Sequence, residues 1–138
     1  MKLLAEDYLN QEQIIDYKDL KVTSVDTVTE YGYARLTSEL LENMESMYAQ
    51  MYWDETDDTA RREVIGLYLK EIQRTKADMD ELVDDGELDT KEVLLFMVTG
   101  NYVKEGKQEQ FMFLVNSDKE TLHNLDPFSD NLLYKDVE

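Results

Sequence analysis

Apolar residues recur with different spacings along this chain, and the changes of spacing mark its elements. Residues 3–17 place Leu4, Tyr8 and Ile15 at helical intervals, with Leu9 and Ile14 beside them. This predicts a short N-terminal helix. Leu20 to Thr29 is rich in Val and Thr, which favour extended backbone. Its alternation slips between Val22 and Val25, as a β-bulge produces, and the segment is predicted as a strand at a sheet edge.

The clearest helix is predicted over 36–53. Leu36, Leu40, Met44, Met47 and Met51 form one stripe, widened by Leu41, Tyr48 and Tyr52. Met44, Met47, Met51 and Tyr48 are expected in the core. Asp54-Glu55-Thr56-Asp57-Asp58 breaks the pattern, and Asp58 or Thr59 can cap a second helix. That helix runs to about Val83. Val64, Ile65, Leu69, Ile72, Met79 and Val83 form its expected buried side, flanked by Leu67 and Tyr68, and Asp84-Asp85-Gly86 supplies the stop. The short polar connection implies an antiparallel helical hairpin.

From Glu92 the period changes again. Val93 to Val98 is apolar on both faces, as in a central strand, and continues through Val103. Lys104-Glu105-Gly106-Lys107 predicts a hairpin turn. The return strand is Glu109–Asn116, with Phe111, Phe113 and Val115 alternating against Met112 and Leu114. Asn116 to Lys119 predicts a further turn, and Thr121-Leu122-His123 a short strand. These elements describe one α+β domain over 1–125. An antiparallel helical hairpin packs on a small antiparallel sheet of three to four strands, with a short N-terminal helix, and residues 126–138 form an acidic tail. The first strand is expected to pair with the C-terminal hairpin, since an isolated hairpin is marginal in water.

Charge changes this picture most. The 138 residues hold 32 Asp and Glu against 14 Lys and Arg, net −18. That is about twice the upper end of the range usual for a small soluble domain. Such a chain repels nucleic acid and anionic membrane surfaces and attracts basic proteins or cations. Residues 39–92 are the most negative stretch, with 17 acids and 6 bases. Apolar residues make up 42% and aromatics 10%, enough to build a core that disordered acidic chains lack. Met1-Lys2-Leu3-Leu4-Ala5-Glu6-Asp7 turns acidic too soon for a secretory signal. A soluble protein without membrane insertion is expected, leaning to the cytoplasm.

Chemistry at neutral pH has little to work with. Cysteine is absent, which excludes disulfides, thiolate nucleophiles and thiolate metal sites. His123 is the only histidine and has no serine or acid at a recognisable motif spacing. The five glycines are scattered singly, so no phosphate-cradling loop exists. No catalytic residue and no cofactor is expected. Glu81 to Glu92 resembles the twelve-residue calcium loop of the EF-hand family. Gly86 falls at the sharp turn, Leu88 at the apolar eighth position, and Glu81, Asp85, Asp89 and Glu92 at ligand positions. The resemblance implies a cation site. Three departures weigh against it: Glu81 stands where Asp is needed, Val83 has no ligand oxygen, and a strand follows where the family has a helix. A helix-ending acidic turn is the expected role.

Two functional classes remain. The first is a non-enzymatic interaction domain, in its sharpest form an inhibitor that mimics nucleic acid and docks on a basic or nucleic-acid-binding protein. Its contacts would be Glu39, Glu42, Glu45, Asp54, Glu55, Asp57 and Asp58. Trp53 at the hairpin tip joins them, because interfaces favour exposed aromatics. The alternative is a small ligand-binding or accessory domain of the bacterial envelope. It would hold an apolar pocket between helices and sheet, lined by Phe96, Tyr102, Phe111 and Phe113.

Overall fold

The computed structural model describes residues 1–128. It contains three helices and a four-stranded antiparallel sheet, an α+β fold. In chain order these are α1 (Lys2–Gln11), β1 (Lys18–Val28), α2 (Glu30–Asp54), α3 (Thr59–Asp85), β2 (Leu95–Lys104), β3 (Lys107–Asn116) and β4 (Leu122–His123). They fall into two compact units. One comprises 1–29 and 91–124; the other comprises 30–90 with the described residues after 124. Most of the expected tail, 129–138, lies outside the described residues; within 126–128, Asp126 accepts the Phe128 N–H at 2.9 Å.

The sheet unit has the order β1-β2-β3-β4. The Val93–Val98 run therefore feeds a central strand, and the Val/Thr-rich segment becomes an edge strand. The register shifts between Lys18 and Lys21 and again between Val22 and Ser24. The second shift is the bulge that the slipped alternation predicted. At the β2–β3 turn Glu105 and Gly106 both take positive φ, +53° and +78°. That is the two-residue geometry whose twist matches the flanking strands. Ala5 and Leu9 of α1 pack with Val98, Tyr102, Phe111, Phe113 and Val115 in one buried cluster. The Tyr8 ring stacks on Phe113 with centroids 5.1 Å apart.

α1 ends at Gln11, six residues before the helical spacing predicted. Gln13 and Asp16 take left-handed φ of +60° and +59°, which a right-handed helix cannot contain. Ile14 and Tyr17 still pack on the sheet core from the loop. Ile15, which carried the helical spacing, is exposed.

The helical unit is an antiparallel pair with its own core. Ala34 and Leu41 of α2 meet Ile72 and Met79 of α3, with Met44, Tyr48, Leu82 and Val83 packed around them. α2 starts six residues earlier than the stripe predicted. Tyr33, Ala34 and Thr37 of this helix's first two turns are fully buried, and the Thr37 hydroxyl returns a 2.9 Å hydrogen bond to the Tyr33 carbonyl. The Tyr31-Gly32-Tyr33 sequence hides this start, because glycine and aromatics are poor helix formers. Asp58 is the N-cap of α3, its carboxylate accepting the Arg61 N–H at 3.1 Å. Gly86 closes the helix in the left-handed conformation at φ +71°.

Candidate interaction surface on the helical pair

The acids singled out from sequence all lie on the helical unit, and local geometry divides them. Glu55 and Asp58 work for the turn between the helices. The Glu55 carboxylate accepts the Asp58 N–H at 2.9 Å and pairs with Arg61 at 3.7 Å, while Asp58 caps α3. Asp54 accepts a 2.9 Å hydrogen bond from Gln50 one turn back. Asp57 is exposed between them.

Glu39, Glu42 and Glu45 recur at i, i+3 and i+6 along one flank of α2. The same flank carries a polar seam to α3. Ser38 donates to Asp80 at 2.5 Å, and Lys76 donates to the other Asp80 oxygen at 2.8 Å. The Lys76 hydrogen bond, then the Ser38 one, holds the Asp80 carboxyl below its ordinary range. Lys76 is raised by its bond to Asp80, and Glu42 and Glu45 add to the same field. Those two glutamates lie within electrostatic reach of a cation on the neighbouring helix. Arg35 is raised chiefly by its hydrogen bond to Tyr31, and Glu39, one turn further on, adds a little in the same direction.

Trp53 is 69% exposed at the end of α2. Its indole packs edge-on to Tyr52 at 5.6 Å. The Arg62 guanidinium sits 4.3 Å from the Tyr52 ring centre and 5.8 Å from that of Trp53, and Nε donates to the Tyr52 carbonyl at 3.1 Å. The tip is therefore built around one arginine stacked on two aromatics, a geometry that fixes Trp53 while leaving most of its surface in solvent.

Two stripe residues expected in the core lie outside it. Met47 is 54% exposed and Val64 50%. The buried line of α2 runs through Ala34, Leu41 and Tyr48, spaced by seven. The Leu36–Leu40–Met47–Met51 row sits to one side of that line. On α3 the line is Ile65–Ile72–Met79, again spaced by seven, and Val64 is displaced from it. The apolar arc of each helix is wider than the contact between them. The excess emerges at Met47, Val64, Leu67 (67% exposed) and Tyr68 (58%). Composition could not reveal this, because periodicity measures an arc and says nothing of how much of it a neighbour covers.

The remaining candidates are dispersed. Glu81 and Asp85 lie on the last turns of α3, whereas Asp89 and Glu92 follow the Gly86 stop. Asp89 is held by backbone: its N–H donates to the Glu30 carboxylate at 3.0 Å, and its carbonyl accepts the Tyr31 N–H at 3.1 Å. Among the described residues no helix follows Glu92, and no three Asp, Glu or His side chains gather in a metal-holding group. His123 is half-buried on β4 opposite Leu114. Tyr102, Phe111 and Phe113 are buried in the α1–sheet cluster, and Phe96 packs against it half-buried. The open grooves on the sheet unit are lined mainly by other residues, such as Asp7, Asn10 and Thr121, or Thr23, Thr99 and Asn101. No helix among the described residues is long and apolar enough to cross a membrane.

Comparisons with protein-family models, with curated proteins and with solved structures each find no match, so the chain's own geometry carries the functional reading.

Proposed function

We propose that this protein is a non-enzymatic interaction domain whose helical unit docks on a basic protein. The carrying observation is the segregation of charge between the two units. Residues 30–90 hold 17 acids and 6 bases, net −11. Residues 1–29 and 91–124 hold 11 acids and 7 bases, net −4 on a similar length. Six bases cannot match seventeen carboxylates, so even complete pairing within the helical unit leaves a large negative excess. The pairs Arg61–Glu55, Arg74–Glu71 and Lys76–Asp80 are already internal.

A one-signed surface of this kind raises the association rate of a cationic partner and makes affinity fall with salt. In its sharpest form the domain imitates a phosphate backbone and competes with nucleic acid for a basic groove. Exposed Glu39, Asp54 and Asp57 are the acids least committed to the fold. The test is displacement of labelled DNA from a basic DNA-binding domain. Displacement is expected at about 50 mM salt, weakening at least tenfold by about 300 mM. The triple variant Glu39→Lys, Asp54→Lys, Asp57→Lys is expected to lose most of it. Failure to displace DNA at low salt, or displacement indifferent to salt, removes this reading.

A further inference from the structure

The exposed apolar flank of the helical pair supplies what charge alone lacks, a reason for one shape of partner. We infer that Met47, Met51, Val64, Leu67 and Tyr68 form a dock for a basic amphipathic helix; this rests on the acidic-domain reading and deepens it.

Val64, Leu67 and Tyr68 stand at i, i+3 and i+4 and so share one flank of α3. Met47 and Met51, at i and i+4, share one flank of α2. Tyr48 and Tyr68 join the two rows, with ring centroids 6.1 Å apart. The four residues that are half exposed or more, Met47, Val64, Leu67 and Tyr68, leave a patch on the order of 400 Å² open. Apolar surface of this size is comparable to the largest patch on a typical monomer, which is often functional. Met47 and Met51 add adaptable, polarizable surface of the kind that accepts apolar side chains of varied shape.

The occupant follows from backbone and charge. Both rows are helical, so their backbone groups are already paired and cannot extend a strand. Two antiparallel helices leave a shallow groove along their flank, which a third helix fills with residues at i, i+3, i+4 and i+7. Acids outnumber bases along the groove: Asp54 lies three residues past Met51, Glu71 four past Leu67 and Asp78 two turns further along α3, while Lys70 and Arg74 lie three and seven past Leu67. Glu71 holds Arg74 at 2.5 Å; Asp54 accepts from the neutral amide of Gln50. A second copy would bring another unit of net −11 against this rim. A helix edged with Lys and Arg meets it with opposite sign.

The test uses the full chain and a fluorescent peptide of about 14 residues, Leu and Lys only, with Leu at helical spacing. A control peptide has the same composition with the Leu positions scrambled. The amphipathic peptide is expected to bind at least tenfold tighter. The double variant Val64→Gln, Leu67→Gln is expected to erase that advantage while its thermal melt stays unchanged, since both side chains are half exposed or more. Equal binding of the two peptides, both lost in salt, overturns the apolar dock and leaves the charge reading standing. Binding of neither peptide at low salt overturns both. A concentration-dependent dimer that the double variant abolishes gives the flank to a second copy and also overturns the proposal.

Discussion

At Gly100 two strands and an aromatic ring leave no room for a methyl group. A Cβ there would collide with the Lys21 carbonyl oxygen and with Phe111 Cζ. Phe111 pairs across the ladder from this glycine, and its ring occupies the space a side chain would take. Gly100→Ala is expected to destabilise the protein by about 3 kcal/mol, read as a shift in urea midpoint. Gly106→Ala should cost only about 1 kcal/mol, because its cost is the positive φ alone and nothing lies within 4 Å. Asp80 is the second informative residue. Its carboxyl titrates below the unfolded value, so the stability it contributes is present above about pH 4 and is lost as pH falls through the lowered folded value. Lys76, raised, works in the opposite sense: its contribution is full below its ordinary value and is lost at alkaline pH. Asp80→Asn should therefore differ from the parent chain at neutral pH and converge with it in acid. The difference is about 0.5 kcal/mol, since the pair is partly solvated. Urea midpoints measured from pH 2 to 7 check this, and a constant difference across that range would refute it.

Among the elements, the helices show how an apolar stripe overstates a core. Ile72 and Val64 both belong to the apolar side of α3 by spacing, yet one is 2% exposed and the other 50%. Ile72→Ala should cost about 3 kcal/mol through its cavity. Val64→Ala should change stability by less than about 0.5 kcal/mol, because alanine's helix propensity offsets the little packing lost. Denaturant titration of the two variants distinguishes them directly. The sheet shows the complementary case. β1 is recognisable as an edge strand because its alternation breaks, and edges tolerate the bulges that break it. Lys18 and Lys21 on this strand also discourage another chain from pairing with it. Helical spacing overextends the N-terminal helix because Ile15 falls in period by chance and stays exposed, while its neighbour Ile14 serves the same core from a loop that turns through left-handed residues.

For the whole molecule, charge outweighs every other surface property. At net −18 the folded chain repels itself, and the repulsion is concentrated in the helical unit. Raising NaCl from about 10 to 500 mM screens that repulsion more than it weakens surface pairs, so Tm should rise by about 3 °C. Calorimetry at several salt concentrations measures it; a falling Tm would mean that ion pairs outweigh repulsion. The same salt that stabilises the chain is expected to weaken its hold on a basic partner. The two opposite slopes together form a signature that a merely soluble acidic protein would not show.

Periodicity, turn chemistry and composition were enough to establish the α+β class, the helical hairpin with its cap at Asp58 or Thr59 and its Gly86 stop, the central and edge strands, and the acid excess. These are local properties: spacing sets which residues share a face, Gly and Asp set where chain direction changes, and charge simply adds. Tertiary structure alone decided which residues on a face are covered. It placed Tyr33 in the core and left Met47 and Val64 open, set the Glu55 carboxylate on the Asp58 N–H, and paired Lys76 with Asp80. Coverage depends on where a neighbouring element ends, and that is a distance between residues far apart in the chain, which no local pattern encodes.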